Sequence, residues 1–425
     1  MSWPFDSSAD AEAALDELIR AGDAAQRRRD FSAARQHYDE ALALFARLPE
    51  TDANRRRHVD LTIKRVSVSI RLDSPEHNLA QLAQAASLLQ GLMTADKLRL
   101  ARIYYWMGRA HTTLNDTRAA LGYYRQVLPV AQELGDEELM AIPASLLGQL
   151  LVKQGHLGHG EQWLTRASPA LEKAEKWSDW ATTHAHLGLA LAGQGRYADG
   201  LAEVDRALER AREWNHLTGI AQCHLAEAAI YTLGGEAPRA LEASRTALGV
   251  ARLSGDAALH CFGYAYRAGA ESALGQTESA LASLLSAQAA FERSDGQVLG
   301  AEIITAYRGQ VALNAGRVEA AGRFAEQSVA VSRAAGNVIA EGLALRVWGQ
   351  AASSADEADA QMAESVAVLE SGACYVEAAQ TRLAWARLCR ERGEGMNARD
   401  HAQRAAAQFE ASGLINALAQ ARELS

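Results

Sequence analysis

Apolar residues in this chain return at intervals of three and four positions over almost its whole length. Such a period places the apolar side chains on one face of an α-helix. Short turns that contain glycine separate these stretches, as in LGLALAGQGRYADGLAEVDRAL at 187–208. The pattern predicts pairs of amphipathic helices that are joined by short turns.

The helix–turn–helix pattern recurs every 40 or 41 residues. Copies that can be aligned with 187–208 start at Met107, Leu147, Glu227, Arg267 and Arg308. In each copy a small residue comes early in the first helix, a turn residue follows seven positions later, and a second small residue comes five positions after the turn. In 187–208 these are Gly188, Gly195 and Gly200. Because a bulky side chain would overpack such positions at about 1–3 kcal/mol, we expect the paired helices to lie close together there.

We therefore predict an all-α fold of about ten helix–turn–helix units over residues 15–412. The copy at 61–95 is degenerate. Residues 1–14 are predicted to be an N-terminal tail, and residues 413–425 a capping helix. One helix pair cannot bury its apolar faces alone, so we expect stacked units to share a core through contacts between adjacent units only.

The first unit resembles a known repeat family. Its residues Gly22, Phe31, Ala34, Tyr38 and Ala41 stand at the spacing of the tetratricopeptide repeat. The unit is longer than the usual tetratricopeptide unit of about 34 residues, and in this it resembles the repeats of bacterial MalT-like regulators and of Pins/LGN polarity adaptors. Residues 21–61 are also similar to the start of the repeat arm in bacterial signalling ATPases, some of which are fused to nucleotide cyclases. The resemblance implies a right-handed superhelical α-solenoid with a concave groove.

Composition and charge narrow the class of partner. The 425 residues carry a formal net charge of −9, which argues against general nucleic-acid binding, since that requires a basic face. Two arginine triplets, at 27–29 and 55–57, are interpreted as solvated surface. No stretch is long and apolar enough to predict a membrane span. The acidic start does not resemble a signal peptide, and the four scattered cysteines are typical of a reduced, cytoplasmic protein.

One segment matches a nucleotide-binding pattern. GQGRYA at 193–198 fits the loose G-x-G-x-x-G/A fingerprint, which requires a preceding strand. However, Leu187, Gly188 and Leu191 occupy helix positions in register with the other copies, so we interpret GQGRYA as the turn between two helices. The sequence contains no Gly-Lys dipeptide for a P-loop, no G-x-S-x-G and no H-E-x-x-H.

Histidines offer the other candidate chemistry. His184 and His224 share one position in adjacent units. We interpret them as half-buried packing residues, with a weak metal or pH-sensing site as the alternative. We therefore predict a protein that is not an enzyme, with no catalytic site, no metal and no cofactor.

The family resemblance also implies where a partner binds, because the first helix of each tetratricopeptide unit lines the concave surface. The map has an apolar, aromatic centre with basic and amide groups at its ends, which suits a peptide with an apolar centre and acidic flanks. The residues that it assigns to the groove are Tyr105, Trp106, Arg109, Gln149, Lys153, His186, Leu189, Leu225, Phe262, Tyr266, Tyr307, Gln310, Arg346, Gln350, Arg387 and Arg390.

The sequence leaves three functional hypotheses. The first is a cytoplasmic, non-enzymatic scaffold of bacterial signalling or regulation that holds a protein or peptide segment in the groove. The second is a small-molecule sensor arm of the MalT-like type. The third is an arm that regulates a separately encoded ATPase, cyclase or kinase. Self-association is possible, and neither nucleic acid nor membrane is an expected partner.

Overall fold

The computed structural model describes residues 8–28, 30–70, 72–90, 96–114, 116–254, 256–293, 298 and 300–425. In this part of the chain twenty-one α-helices follow one another, and no strand occurs. Each of the first ten odd-numbered helices pairs with the helix that follows it, so the predicted all-α array of ten hairpins is confirmed. The chain divides into two compact units, Met1–Pro143 and Ala144–Ser425.

The first unit contains three hairpins and the start of a fourth. Its helices are α1 (Ser8–Arg27), α2 (Phe31–Leu44), α3 (Asp52–Ser69), α4 (Pro75–Leu88), α5 (Lys97–Thr113), α6 (Thr117–Leu134) and the first part of α7 (Glu137–Lys153). Tyr38 and Tyr124 are fully buried against the helix that precedes each of them, at Gly22 and Gly108. Each glycine leaves the space that the ring fills, because a Cβ atom there would stand 2.4 Å from the ring.

The predicted tail at 1–14 is corrected by helix α1, which begins at Ser8. Ala11 is 1% exposed and Leu15 is not exposed, so the apolar face of this segment packs into the first hairpin. Residues 1–7 of that predicted tail lie outside the described residues.

The arginine triplet at 55–57 is also more than solvated surface. Arg56 forms an ion pair of 2.9 Å with the buried Asp96, and Arg57 forms one of 2.6 Å with Asp16. Both pairs lie within the first unit and tie α3 to neighbouring segments. In the other triplet, Arg29 lies outside the described residues.

The second unit holds the remaining hairpins and the C-terminal helix. Its helices after α7 are α8 (Leu157–Lys173), α9 (Trp177–Gly193), α10 (Tyr197–Glu213), α11 (Leu217–Leu233), α12 (Ala237–Ser254), α13 (Ala257–Ala273), α14 (Thr277–Glu292), α15 (Ile303–Asn314), α16 (Val318–Ala335), α17 (Val338–Ala351), α18 (Ala355–Ser371), α19 (Tyr375–Glu391), α20 (Gly395–Ala411) and α21 (Ile415–Arg422). Helix α21 lies within the segment 413–425 and packs Ala417 and Ala421 against the buried Phe409 of α20.

The segment GQGRYA is the turn between α9 and α10, as the repeat pattern predicts. Gly195 has φ +100°, a conformation that favours glycine. Across the pair, a Cβ atom on Gly200 would stand 2.5 Å from the carbonyl oxygen of Gly188. The two small residues therefore set how closely α9 and α10 approach.

The second unit also contacts itself between distant hairpins. The amide of Leu157, at the start of α8, donates to the carbonyl of Gly372 at 2.8 Å. The amide of Val338, at the start of α17, donates to the carbonyl of Gln154 at 2.8 Å. We call these two bonds the closure contact. The expectation that only adjacent units touch is therefore wrong for this unit.

Further interactions surround the closure contact. The Cys374 thiol donates to the Gly155 carbonyl at 3.2 Å, and burial raises the pKa of this thiol. Nearby, Leu233 of α11 packs in one buried cluster with Val376 and Leu383 of α19. The first helices of early and late hairpins in this unit therefore face one another across an enclosed space.

Candidate functional site

The closure contact shuts off part of the inner surface as a cavity, which we call the inner chamber. Its walls come from α7, α9, α11, α13 and α15 on one side, and from α17 and α19 on the other. It spans about 960 Å³ of space including its opening. Most of its lining is apolar, with Phe262, Leu225 and Ile303 among the contributors.

Seven of the predicted groove residues line the inner chamber. They are Lys153, His186, Leu189, Leu225, Phe262, Tyr266 and Tyr307. They come from five successive first helices, α7 to α15, because the repeat brings the same helix face to the same side in each hairpin. The structure thus places residues that are 154 positions apart in the sequence around one cavity (Lys153 to Tyr307).

Lys153 is the cation of the inner chamber. Its ammonium lies 5.3 Å from the centre of the Phe262 ring, a cation–π distance. Among the described residues the ammonium has neither a hydrogen bond nor an ion pair. Burial lowers the pKa of Lys153, and the more distant charge of Asp256 only partly opposes this.

The imidazole of His186 and the phenols of Tyr266 and Tyr307 in the inner chamber are neutral. Burial and the nearby Lys153 lower the pKa of His186 to about 3. Its Nδ1 lies 2.9 Å from the carbonyl of Thr182, so the neutral ring donates there and leaves Nε2 as an acceptor. Burial raises the pKa of Tyr266 to about 12 and also raises that of Tyr307. Both phenols therefore remain protonated hydrogen-bond donors.

A second cavity continues from the inner chamber, and we call it the polar mouth. The two cavities share the lining residues Thr232, Tyr307, Leu343 and Glu377. The polar mouth spans about 1140 Å³ including open solvent.

Four more of the predicted residues line the polar mouth, namely Gln310, Arg346, Gln350 and Arg387. Arg346 donates to the carboxylate of Glu377 at 2.8 Å, where both side chains are largely buried. Arg387 is exposed and donates to the amide oxygen of Gln420 at 2.8 Å.

The remaining predicted residues line neither cavity. Gln149 donates to the hydroxyl of Ser145 at 2.9 Å, and Arg390 is exposed on α19. Tyr105, Trp106 and Arg109 belong to the first unit. There the rings of Tyr105 and Trp106 meet edge to face, with centroids 5.2 Å apart. The structure therefore does not bring these five residues to the inner chamber or the polar mouth.

The sequence does not predict the side of the inner chamber that lies opposite α7 to α15, which we call its far wall. Ile339, Cys374 and Glu377 reach it from α17 and from the start of α19. Gly300 also lines it, and a Cβ atom there would stand 3.2 Å from Cβ of Lys153. The repeat offsets carry no signal for these residues, because the closure contact, and not the hairpin register, brings them in.

His184 takes part in a chain of hydrogen bonds away from both cavities. Its Nε2 lies 2.7 Å from the hydroxyl of Ser168, and its Nδ1 bonds to Glu203, which also pairs with Arg206. This order of groups matches a nucleophile, a base and an orienting carboxylate. Catalysis also needs free N–H donors for an oxyanion. Ser168 lies inside α8, where backbone N–H groups are used by the helix, and Pro169 follows it without one. This series of hydrogen bonds therefore fits a packing role between α8, α9 and α10.

The predicted metal alternative has no support at His224 either. This side chain bonds to Glu227 at 2.6 Å within its own helix. Across the described ranges, no three His, Cys, Asp or Glu side chains come together as metal ligands would. In the same part of the chain, no helix is both long and apolar enough to cross a membrane.

Comparison with known proteins addresses the family. The family model described as a tetratricopeptide repeat matches residues 101–133, which cover most of the hairpin α5–α6. The other hairpins have the same order of elements, and glycines mark a close approach of the two helices in α1–α2, α7–α8 and α9–α10. The segment 101–133 is therefore a tetratricopeptide repeat by sequence, and the described hairpins share its helix–turn–helix order. The sequence predicts this family from Gly22 to Ala41, and the match confirms it.

Similar folds occur among solved tetratricopeptide structures, although at low identity. A Rap protein complexed with Competence and Sporulation Factor is 15% identical, with 98% of this chain and 100% of that chain covered and a TM-score of 0.44. Aspartyl phosphate phosphatase F from Bacillus subtilis is 16% identical, with 99% and 97% covered and a TM-score of 0.40.

A third similar structure is a signal transduction ATPase with a tetratricopeptide repeat sensor from Pyrococcus horikoshii. It is 14% identical, with 78% of this chain and 52% of that chain covered and a TM-score of 0.41. At such identities and TM-scores, none of the three bears on the function of this chain. A comparison with curated proteins finds no match.

Proposed function

We propose that the tetratricopeptide repeat protein is a non-enzymatic scaffold that holds a protein or peptide segment in the polar mouth of its second unit. Tetratricopeptide arrays in general support protein interactions, so the fold sets the class of function. The observation that carries the proposal is the convergence of amide and guanidinium groups in one open groove. They come from α15, α17 and α19 as Gln310, Gln350, Gln380 and Arg387.

The chemistry of this groove suits an extended segment. Glutamine side chains both donate and accept, so they can bond the backbone of a peptide that lies across them. Arg387 is held only by an exposed hydrogen bond to Gln420, and such surface contacts contribute little. It is therefore available to bind a carboxylate of a partner. Arg346 differs, since the pair with Glu377 already satisfies it.

These features favour a partner segment with acidic side chains, in keeping with the acidic flanks expected from the sequence. Arginine forms paired, charge-assisted hydrogen bonds with carboxylates. The identity of the bound segment would decide which regulatory or signalling role the protein has. We place this role in the cytoplasm, in agreement with the reduced cysteines expected from the sequence.

Peptide selection tests the proposal. We expect selection from a displayed random library on the full-length protein to enrich acidic segments. A synthetic peptide from that pool should bind R387E about 10-fold or more weakly than wild type, because one charge-assisted contact becomes a repulsion.

R390E is the matched control, since Arg390 lies one turn along α19 and lines neither cavity. It should bind the selected peptide as wild type does. If selection enriches no peptide, or if R387E and R390E weaken binding equally, the partner does not lie in the polar mouth.

A further inference from the structure

We propose that the inner chamber is a binding site for a small apolar carboxylate and that Lys153 is the counter-ion of its anionic group. The inference goes beyond the proposed function, because it concerns a different cavity and a different class of ligand. It starts from a charge that the described part of the chain leaves without an anionic partner.

The charge balance of the inner chamber is uneven. Lys153 is its only cation among the lining residues, and no carboxylate oxygen of a described residue lies within 4.0 Å of the ammonium. The one acidic lining residue, Glu377, is already paired with Arg346 at 2.8 Å. Lys153 is half-buried. A cation that is partly withdrawn from water without an anionic partner is unfavourable, and an anion brought in by a ligand would reduce that penalty.

The hydrogen-bonding groups of the inner chamber point to the same ligand. The hydroxyl groups of Tyr266 and Tyr307 line it and make no hydrogen bond with the described residues. Each is a protonated donor that a carboxylate oxygen can accept from. The remaining lining is mostly apolar, from Leu225, Phe262 and Ile303 among others, and this suits a hydrocarbon or aromatic body.

The size and closure of the inner chamber favour a small molecule over a chain. Beside Lys153, the backbone bonds of the closure contact join the turn after α7 to the start of α17 and the end of α18. A polypeptide cannot run through this wall. The space of about 960 Å³, which includes the opening, suits a compact body with one charged end.

Paired probes that differ only in charge test the proposal on the full-length protein. We would measure binding of octanoate and octanamide, and of 4-phenylbutyrate and 4-phenylbutanamide, by calorimetry and by thermal shift. We expect at least one carboxylate to bind about 10-fold or more tightly than its carboxamide, because the ion pair is lost in the amide.

Substitutions of two lysines test whether the carboxylate binds in the inner chamber. K153M should bind carboxylate and carboxamide equally, with the carboxylate weakened roughly 10- to 100-fold. K176M is the matched control, since Lys176 is exposed at the start of α9 and lines neither cavity, and it should retain the preference. Without any ligand, K153M should melt at a higher temperature than wild type, whereas a Lys153 that only supports packing would give a lower one.

Several outcomes overturn the proposal. It fails if no carboxylate of the panel binds, if each carboxamide binds as tightly as its acid, or if K153M keeps the preference. Tighter binding of the dipeptide Gly-Phe than of both acids would show that the occupant is a peptide terminus. R387E should leave binding of the acids unchanged, because Arg387 does not line the inner chamber. The carboxylate site and the peptide site can therefore be tested, and can fail, separately.

Discussion

Small residues at repeated positions fix how closely the two helices of a hairpin approach. Gly188 and Gly200 are the clearest case, because the backbone of each occupies the place where a side chain of the other helix would stand. At the equivalent position in the first hairpin, Gly22 leaves room for the ring of Tyr38. A single methyl group at such a site therefore has no free space to enter.

The first prediction concerns Gly200. G200A places a Cβ atom 2.5 Å from the Gly188 carbonyl oxygen, so we expect it to lower the free energy of unfolding by about 1–3 kcal/mol. Its control is G249A, in the interior of α12, where the nearest atom to a Cβ lies 4.0 Å away. This change should be neutral or stabilise by up to about 1 kcal/mol, since alanine is the better helix former. Denaturant unfolding of both variants measures the difference, and equal effects would contradict the role of Gly200 as a close-approach residue.

At the scale of elements, the turns between helices have two different environments. Most turn glycines of the second unit face open space, as Gly235 and Gly275 do. The end of α18 differs, because a Cβ atom on Gly372 would stand 2.1 Å from the carbonyl oxygen of Gly155. Ala174 and Trp214 end α8 and α10 at the equivalent position, so those two helices carry a side chain where the closure contact excludes one.

The second prediction follows from Gly372. We expect G372A to displace the turn after α7 and to weaken the bond from the Leu157 amide to the Gly372 carbonyl. Hydrogen exchange at Leu157 and Val338 should then become about 10-fold faster or more. G275A is the control, because it adds a methyl group at φ +74° with no atom within 4 Å. It should lower stability through backbone strain alone and leave exchange at Leu157 as in wild type. Unchanged exchange in G372A would mean that the closure contact does not hold this turn.

The sequence predicts the hairpins well and the closure contact not at all. Helix pairing follows from a period that recurs within 40 or 41 residues, so the positions of Gly188, Gly195 and Gly200 are visible in any one copy. The closure contact joins residues such as Leu157 and Gly372, which are 215 positions apart and follow no repeat offset. Nearly half of the predicted groove residues meet at the inner chamber, but its far wall depends on contacts that periodicity does not encode.

At the scale of the second unit, the closure contact changes what a concave surface can bind. An array with contacts between neighbours alone leaves its groove open along its length. Here the closure contact walls off one side of the inner chamber, and the polar mouth remains accessible beside it. In our proposals the unit holds two kinds of ligand, a small carboxylate inside and a peptide segment at the opening. Because the cavities share Tyr307 and Glu377, occupation of one can affect the other.

The most direct measurement of this account is a disulfide across the closure contact. A Cβ atom on Gly158 would stand 3.8 Å from Cβ of Ala373, which is the spacing of a disulfide bond. The four native cysteines are buried, so the two introduced thiols of G158C/A373C dominate the reactivity of the folded protein. We predict that mild oxidation links them nearly completely, seen as loss of titratable thiol and a mass lower by about 2 Da, while each single variant stays reduced. If both thiols of the double variant remain titratable after oxidation, the second unit is not closed and the inner chamber does not exist in solution.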